Sequence, residues 1–147
     1  MSAAGARVVP HMNFMQQTID EFRAHHGVVR APANFGNRLV LVHVPKKDGT
    51  VRVVPLAALP REGAWYVSGS AGGAPKHPDW VFSLRRARTV TIEVPGDPIR
   101  TLEVQVSELA DTERDEAWRW VTDRMPGFAD YQERAGDRTI PVFRLAP

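Results

Sequence analysis

Residues 38 to 44 read Arg-Leu-Val-Leu-Val-His-Val, a continuous run dominated by branched aliphatic residues, and Thr50 to Leu59 resumes the pattern after Lys46-Lys47-Asp48-Gly49. Branched aliphatic side chains on both sides of an Asp-Gly pair predict a β-hairpin. Pro55 inside the second run points to a bulge or an edge, because proline cannot donate to a ladder. Arg61-Glu62-Gly63 turns the chain again, and Ala64 to Ser70 supplies a third strand. Three neighbouring strands joined by short turns form an antiparallel meander.

The rest of the chain is built around this meander. Asn13 can cap a helix running to His26, in which Met15, Ile19 and Phe22 recur at four and three, with Gly27 as its stop. Residues 28–37 read as a loop. Gly69 to Ala74 is a Gly-rich loop, and Pro78 at a first helical position opens a short helix through Leu84 and Arg86. Strands follow at Thr89–Val94 and Ile99–Val106, separated by Pro95-Gly-Asp-Pro98. A helix runs from Asp111 to Arg124 with acids in its first turn, a shorter one from Gly127 to Arg134, and a last strand from Ile140 to Leu145. The fold class is α+β: about six mostly antiparallel strands, as a small barrel or sandwich, with peripheral helices. At 147 residues this is one domain, 13–147, preceded by a loose tail, 1–12.

Composition narrows the function. The chain has no cysteine, which excludes a disulfide scaffold, a thiol nucleophile and thiolate-held metal, and suits a reducing cytoplasm. Nineteen cations against 17 acids give a net charge of +2, and the arginines are scattered, so no nucleic-acid partner is expected. No run approaches the roughly 20 apolar residues of a membrane span, and Met1 to Pro10 has no secretory apolar core. The Met15, Ile19, Phe22 stripe is read as covering the core, with peripheral membrane contact as its other use. No pair among His11, His25, His26, His43 and His77 has a metal-site spacing, and no metal is expected. His43, in an apolar strand, reads as a satisfied core or cleft residue.

Two features stand above this background. Lys46, Lys47 and Arg52 flank a Gly turn and can hold a polyanion, although an ordinary solvated hairpin reads the same way and is favoured on the residues alone. The Gly-rich loop ahead of Lys76-His77-Pro78 lets backbone approach a ligand closely, with Lys76 and His77 as added positive charge and Trp80 as a wall for a planar ring or a core residue.

Five blocks carry a resemblance: Asn13 to Arg23, Lys47 to Leu56, Ser70-Ala-Gly-Gly-Ala-Pro-Lys-His-Pro-Asp-Trp80, Met125 to Gln132 and Arg138 to Val142. Together, in this order, they resemble the deazaflavin-dependent nitroreductase family. The resemblance implies a split β-barrel that binds coenzyme F420 and passes a hydride to a small, hydrophobic acceptor of the quinone or nitro class. It implies that Lys46, Lys47, Asp48 and Arg52 hold the cofactor's phosphate and glutamate arm. Val53, Val54, Pro55, Leu56 and Ala57, Ser68, Gly69, Ser70 and Ala71, and Asp79, Trp80, Val81, Phe82 and Ser83 match its cofactor-lining segments. Tyr131 and Ser70 are the catalytic candidates. The chain departs from the family in having Ala71 for a lysine, Ser83 for an asparagine, and Met125, Phe128 and Tyr131 for three tyrosines. Phe128 has no proton to donate. The same barrel can hold FMN, or bind an apolar ligand without turnover. The sequence is silent on oligomeric state.

Overall fold

The computed structural model describes residues 13–147. The tail expected over 1–12 lies outside the described residues. Elements run α1 (Phe14–Ala24), β1 (Leu39–Pro45), β2 (Val51–Arg61), β3 (Ala64–Ser68), a 3₁₀ turn (Ala71–Gly73), α2 (Asp79–Arg86), β4 (Thr89–Val94), β5 (Arg100–Glu108), α3 (Asp111–Arg124), α4 (Gly127–Ala135) and β6 (Val142–Ala146). The strands close into an all-antiparallel barrel in the order β1-β2-β3-β6-β5-β4, with β4 returning to β1.

The meander forms as expected. β1 and β2 pair without a break from Leu39↔Ala57 to Pro45↔Val51, so Pro55 sits opposite Leu41 and makes no bulge. β3 pairs only with Ala58 to Arg61 of β2. The stretch Val51–Ala57 therefore has a ladder on one side only, and Pro55 lies on that open edge, where a missing N–H is tolerated. The same gap gives the site its opening.

The barrel is filled by alternate residues of each strand, among them Val40, Val42, Val54, Leu56, Val67, Ile92, Val104, Phe143 and Leu145, with Val81 and Leu84 of α2 closing one end. α1 covers a second cluster. Asn13 caps it by accepting from the Gln16 N–H at 2.8 Å, and Ile19 and Phe22 bury against Val29, Leu39 and Leu41, with Met15 beside them. Ile19 and Phe22 of the apolar stripe are thus used against the core. No helix among the described residues is long and apolar enough to cross a membrane.

Several expected boundaries shift; β5, for example, runs from Arg100 to Glu108 and not from Ile99 to Val106. Pro78 is the cap of α2 and Asp79 its first residue. β3 stops at Ser68, where the Gly69 N–H turns to the Pro141 carbonyl at 2.9 Å. β6 begins at Val142, after Pro141, and not at Ile140. α3 spans the expected residues, Asp111 to Arg124.

Candidate active site

The open edge of β2, the end of β3, the 3₁₀ turn, α2 and the α3–α4 corner surround a cleft of about 730 Å³. That is the size of a small-molecule or cofactor site. Pro55, Leu56 and Ala57 form one wall, Ser68, Ser70, Ala71 and Gly72 the next, and Trp80 the end of the barrel. Met125, Phe128 and Tyr131 face them from the corner and α4, and Phe14 and Phe35 reach in from α1 and the 28–37 loop.

The Gly-rich loop is held by one side chain. Arg138 donates to the carbonyls of Ala74 (2.9 Å), Gly69 (2.9 Å) and Ser70 (2.8 Å), and its Nη1 lies 2.8 Å from Nδ1 of His77. A guanidinium only donates, so Nδ1 must accept and His77 is neutral. Burial first, then the charges of Arg138 and Arg85, hold the His77 imidazole below its usual value. The expected positive charge at His77 is therefore corrected: the ring is a neutral strut of the loop. Gly73 then brings the turn against α4, so close that a Cβ there would lie 2.8 Å from the Tyr131 carbonyl. Ala71 takes a left-handed φ of 46° at the cleft.

Trp80 is half-buried, with its ring 6.0 Å from Phe143, and it both walls the cleft and seals the core. Ser70 is buried apart from the face it turns to the cleft. Tyr131 stacks against Phe128 at 5.1 Å and under Arg134 at 5.4 Å, and its hydroxyl has no hydrogen-bond partner among the described residues.

Of the residues singled out from sequence, Pro55, Leu56, Ala57, Ser68, Ser70, Ala71, Trp80 and Tyr131 come together around the cleft. Others do not line it. Val54 and Val81 are barrel core, because strand and helix periodicity turns them inward. Val53 packs on the α1 cluster. Gly69 sits behind the loop, where a Cβ would strike Val81 and Pro141. Phe82 is exposed beside His77, and Ser83 accepts from Arg86. Asp79 opens α2. Lys46, Lys47 and Asp48 form the exposed hairpin tip, where Asp48 accepts from the Thr50 hydroxyl and N–H, bonds that hold its carboxyl below the usual range. Arg52 is exposed, with Nη2 3.6 Å from the Met15 sulfur. Phe14, Asn34, Phe35, Arg38 and Arg124 line the cleft without having been singled out; only the fold brings them there. His43 is satisfied, 2.7 Å from Glu93, whose carboxylate is also forked by Arg23. Those bonds hold the Glu93 carboxyl below its usual range. No metal-binding group occurs among the described residues.

This cleft in a split barrel has relatives. The model of the F420H(2)-dependent quinone reductase family matches residues 14–147. The chain belongs to that family. It is accordingly an oxidoreductase working with coenzyme F420. A solved structure of the F420-H2 dependent reductase FDR-A is 33% identical, with TM-score 0.65, over 74% of this chain and 93% of that one. A second, described as a domain-swapped dimer, is 30% identical, with TM-score 0.67, over 88% and 94%. The heme storage protein HutZ of Vibrio cholerae, 16% identical with TM-score 0.55 over 90% and 89%, shares the fold alone.

Proposed function

We propose that this chain, a single split-barrel domain over 13–147, uses reduced F420 to reduce a quinone-like ring bound in the cleft. The observation that carries the reading is a cleft of about 730 Å³ lined by Trp80, by Pro55, Leu56 and Ala57 of the β2 edge, and by Met125, Phe128 and Tyr131. Its walls are mostly apolar and are joined by few polar groups, as a ring-binding site requires. When bound, F420 supplies the hydride. Trp80, Pro55, Leu56 and Ala57 hold its ring and exclude water. The Ser70 hydroxyl and the Ala71 N–H, from two residues that line the cleft, would donate to a ring carbonyl. Lys47 and Arg52, with Lys46, take the anionic arm at the hairpin, three to nine residues along from Pro55. A cysteine-free chain working on a reduced cofactor fits the cytoplasm.

The product oxygen needs a proton. Phe128 has none, while Tyr131, one helical turn on, also lines the cleft, and its hydroxyl has no hydrogen-bond partner among the described residues. A positioned acid contributes about 10²- to 10⁴-fold. Following the loss of F420H2 absorbance with a quinone tests the whole reading; no acceptor-dependent oxidation at micromolar cofactor would refute it. In the same assay Tyr131→Phe is expected to lower the rate at least tenfold, and Phe128→Tyr to raise it. An unchanged rate in Tyr131→Phe would mean that the proton comes from solvent.

A further inference from the structure

We propose that the acceptor carries an anionic substituent, a carboxylate, sulfonate or phosphate, which Arg38 and Arg124 hold. This rests on the reading above, in which the cofactor ring lies by Trp80 and its anionic arm runs to the hairpin. The charged residues lining the cleft are two arginines, and no carboxylate lines it among the described residues.

Their position separates them from the cofactor's arm. Arg38 precedes β1 and Lys46 follows it, so the two lie at opposite ends of the strand, roughly 25 Å of extended chain apart. The cleft's β2 wall, Pro55–Ala57, pairs with Leu41–Leu39, at the Arg38 end. An arm reaching the hairpin tip runs away from Arg38, and the acceptor side keeps both guanidinium groups.

Arg124 is also held in place. It ends α3, where one nitrogen donates to the Trp120 carbonyl at 3.1 Å and the guanidinium lies 4.4 Å from the Trp120 ring centre. Arg61 lies over the same ring at 4.9 Å and is itself forked onto Glu116 at 3.2 and 3.1 Å. Capping a helix end uses one of the five donors of Arg124. The others, and all those of Arg38, have no side-chain partner among the described residues. Both residues are exposed where they line the cleft, so their charges draw an anionic acceptor toward it and give an uncharged ring no such help. A guanidinium fork matches an anionic oxygen pair.

The test compares 1,4-naphthoquinone-2-sulfonate with uncharged 2-methyl-1,4-naphthoquinone as acceptors for reduced F420, in the native enzyme and in Arg38→Gln and Arg124→Gln. The native enzyme is expected to favour the sulfonate in kcat/KM. Each variant should reduce that preference by about tenfold, the factor made by 1.4 kcal/mol. Trp fluorescence, titrated with the sulfonate in cofactor-free protein, should show the matching loss of affinity. A sulfonate preference identical in all three proteins would overturn the proposal. So would weakened F420 binding in the variants with unchanged acceptor selectivity, since the arginines would then serve the cofactor. If neither quinone oxidises F420H2, the proposed function fails while the sulfonate titration still decides the anion site: weaker binding in the variants supports it, and equal binding overturns it.

Discussion

Arg138 donates to the carbonyls of Gly69, Ser70 and Ala74, and its contact with Nδ1 of His77 works only while that nitrogen carries no proton. Buried carbonyls left without donors are costly, and a bond to a charged donor contributes about 1.5–3 kcal/mol. A lysine is a point charge that cannot reproduce this fork. Arg138→Lys is expected to lower stability by about 1–3 kcal/mol and to raise the KM for F420, because the loop that presents Ser70 and Ala71 loosens; denaturant melts and F420 titrations measure the two effects. His77 adds a pH dependence. Its folded pKa lies below the ordinary 6.5, so below that value the unfolded chain binds a proton that the folded chain resists. Stability then falls as pH drops through 6.5 toward the lowered folded value. Burial opposes the proton first, then Arg138 and Arg85, while Glu108 favours it. Melting temperatures from pH 7.5 to 5 should decline in the native protein, and the decline should be shallower in His77→Asn. A parallel decline in both would place the titration elsewhere. The Gly-rich string was legible as a loop, but its organiser was not: Arg138 is 61 residues from His77, and nothing local marks that pairing.

At the scale of elements, the 3₁₀ turn and α4 meet through two adjacent glycines with different demands. Both take a positive φ, 63° at Gly72 and 83° at Gly73, but a Cβ on Gly72 meets nothing within 4 Å. On Gly73 it would meet Arg134 Cβ at 2.7 Å and the Tyr131 carbonyl at 2.8 Å. Gly72→Ala is expected to cost about 1–2 kcal/mol of backbone strain alone. Gly73→Ala should cost more and push the turn off α4, moving Tyr131 away from Ser70; turnover should then fall far more than in Gly72→Ala. Equal losses in stability and rate would show that the contact with α4 is unimportant. The elements themselves were largely legible, because period decides them. β4 and α3 run over the expected residues, and Ile19 and Phe22 of the α1 stripe are buried, with Met15 partly buried beside them. What local pattern could not supply was which side of β2 stays open. That follows from β3 being only five residues long, and it decides that Pro55 sits at the cleft.

For the molecule as a whole, the β1–β2 hairpin runs from the wall of the cleft to a distant turn. One end of it, at Pro55 to Ala57, walls the cleft; the other, at Lys46 to Arg52, is an exposed cationic tip. A ligand that touched both would need a planar head and an extended anionic arm, which is the shape of F420. The tip gives no sign of this by itself. Lys46 and Lys47 are exposed and Arg52 touches only a methionine sulfur, as in any solvated hairpin, so the sequence left the tip undecided for a physical reason. The two ends can be tested separately. Arg52→Ala is expected to weaken F420 by about 1.5–3 kcal/mol, the range for a charge-assisted bond to phosphate. A deazaflavin lacking the phosphate and glutamate arm should bind the native protein and Arg52→Ala equally, because it reaches only the cleft. Trp80→Ala should do the reverse, weakening both ligands by a similar factor. Raised salt should erase the native protein's advantage for the full cofactor while leaving the truncated one almost unaffected. If Arg52→Ala weakened the truncated ligand as much as the full cofactor, the hairpin would be acting through the fold of β2, and the cofactor's arm would have to leave the cleft by another path.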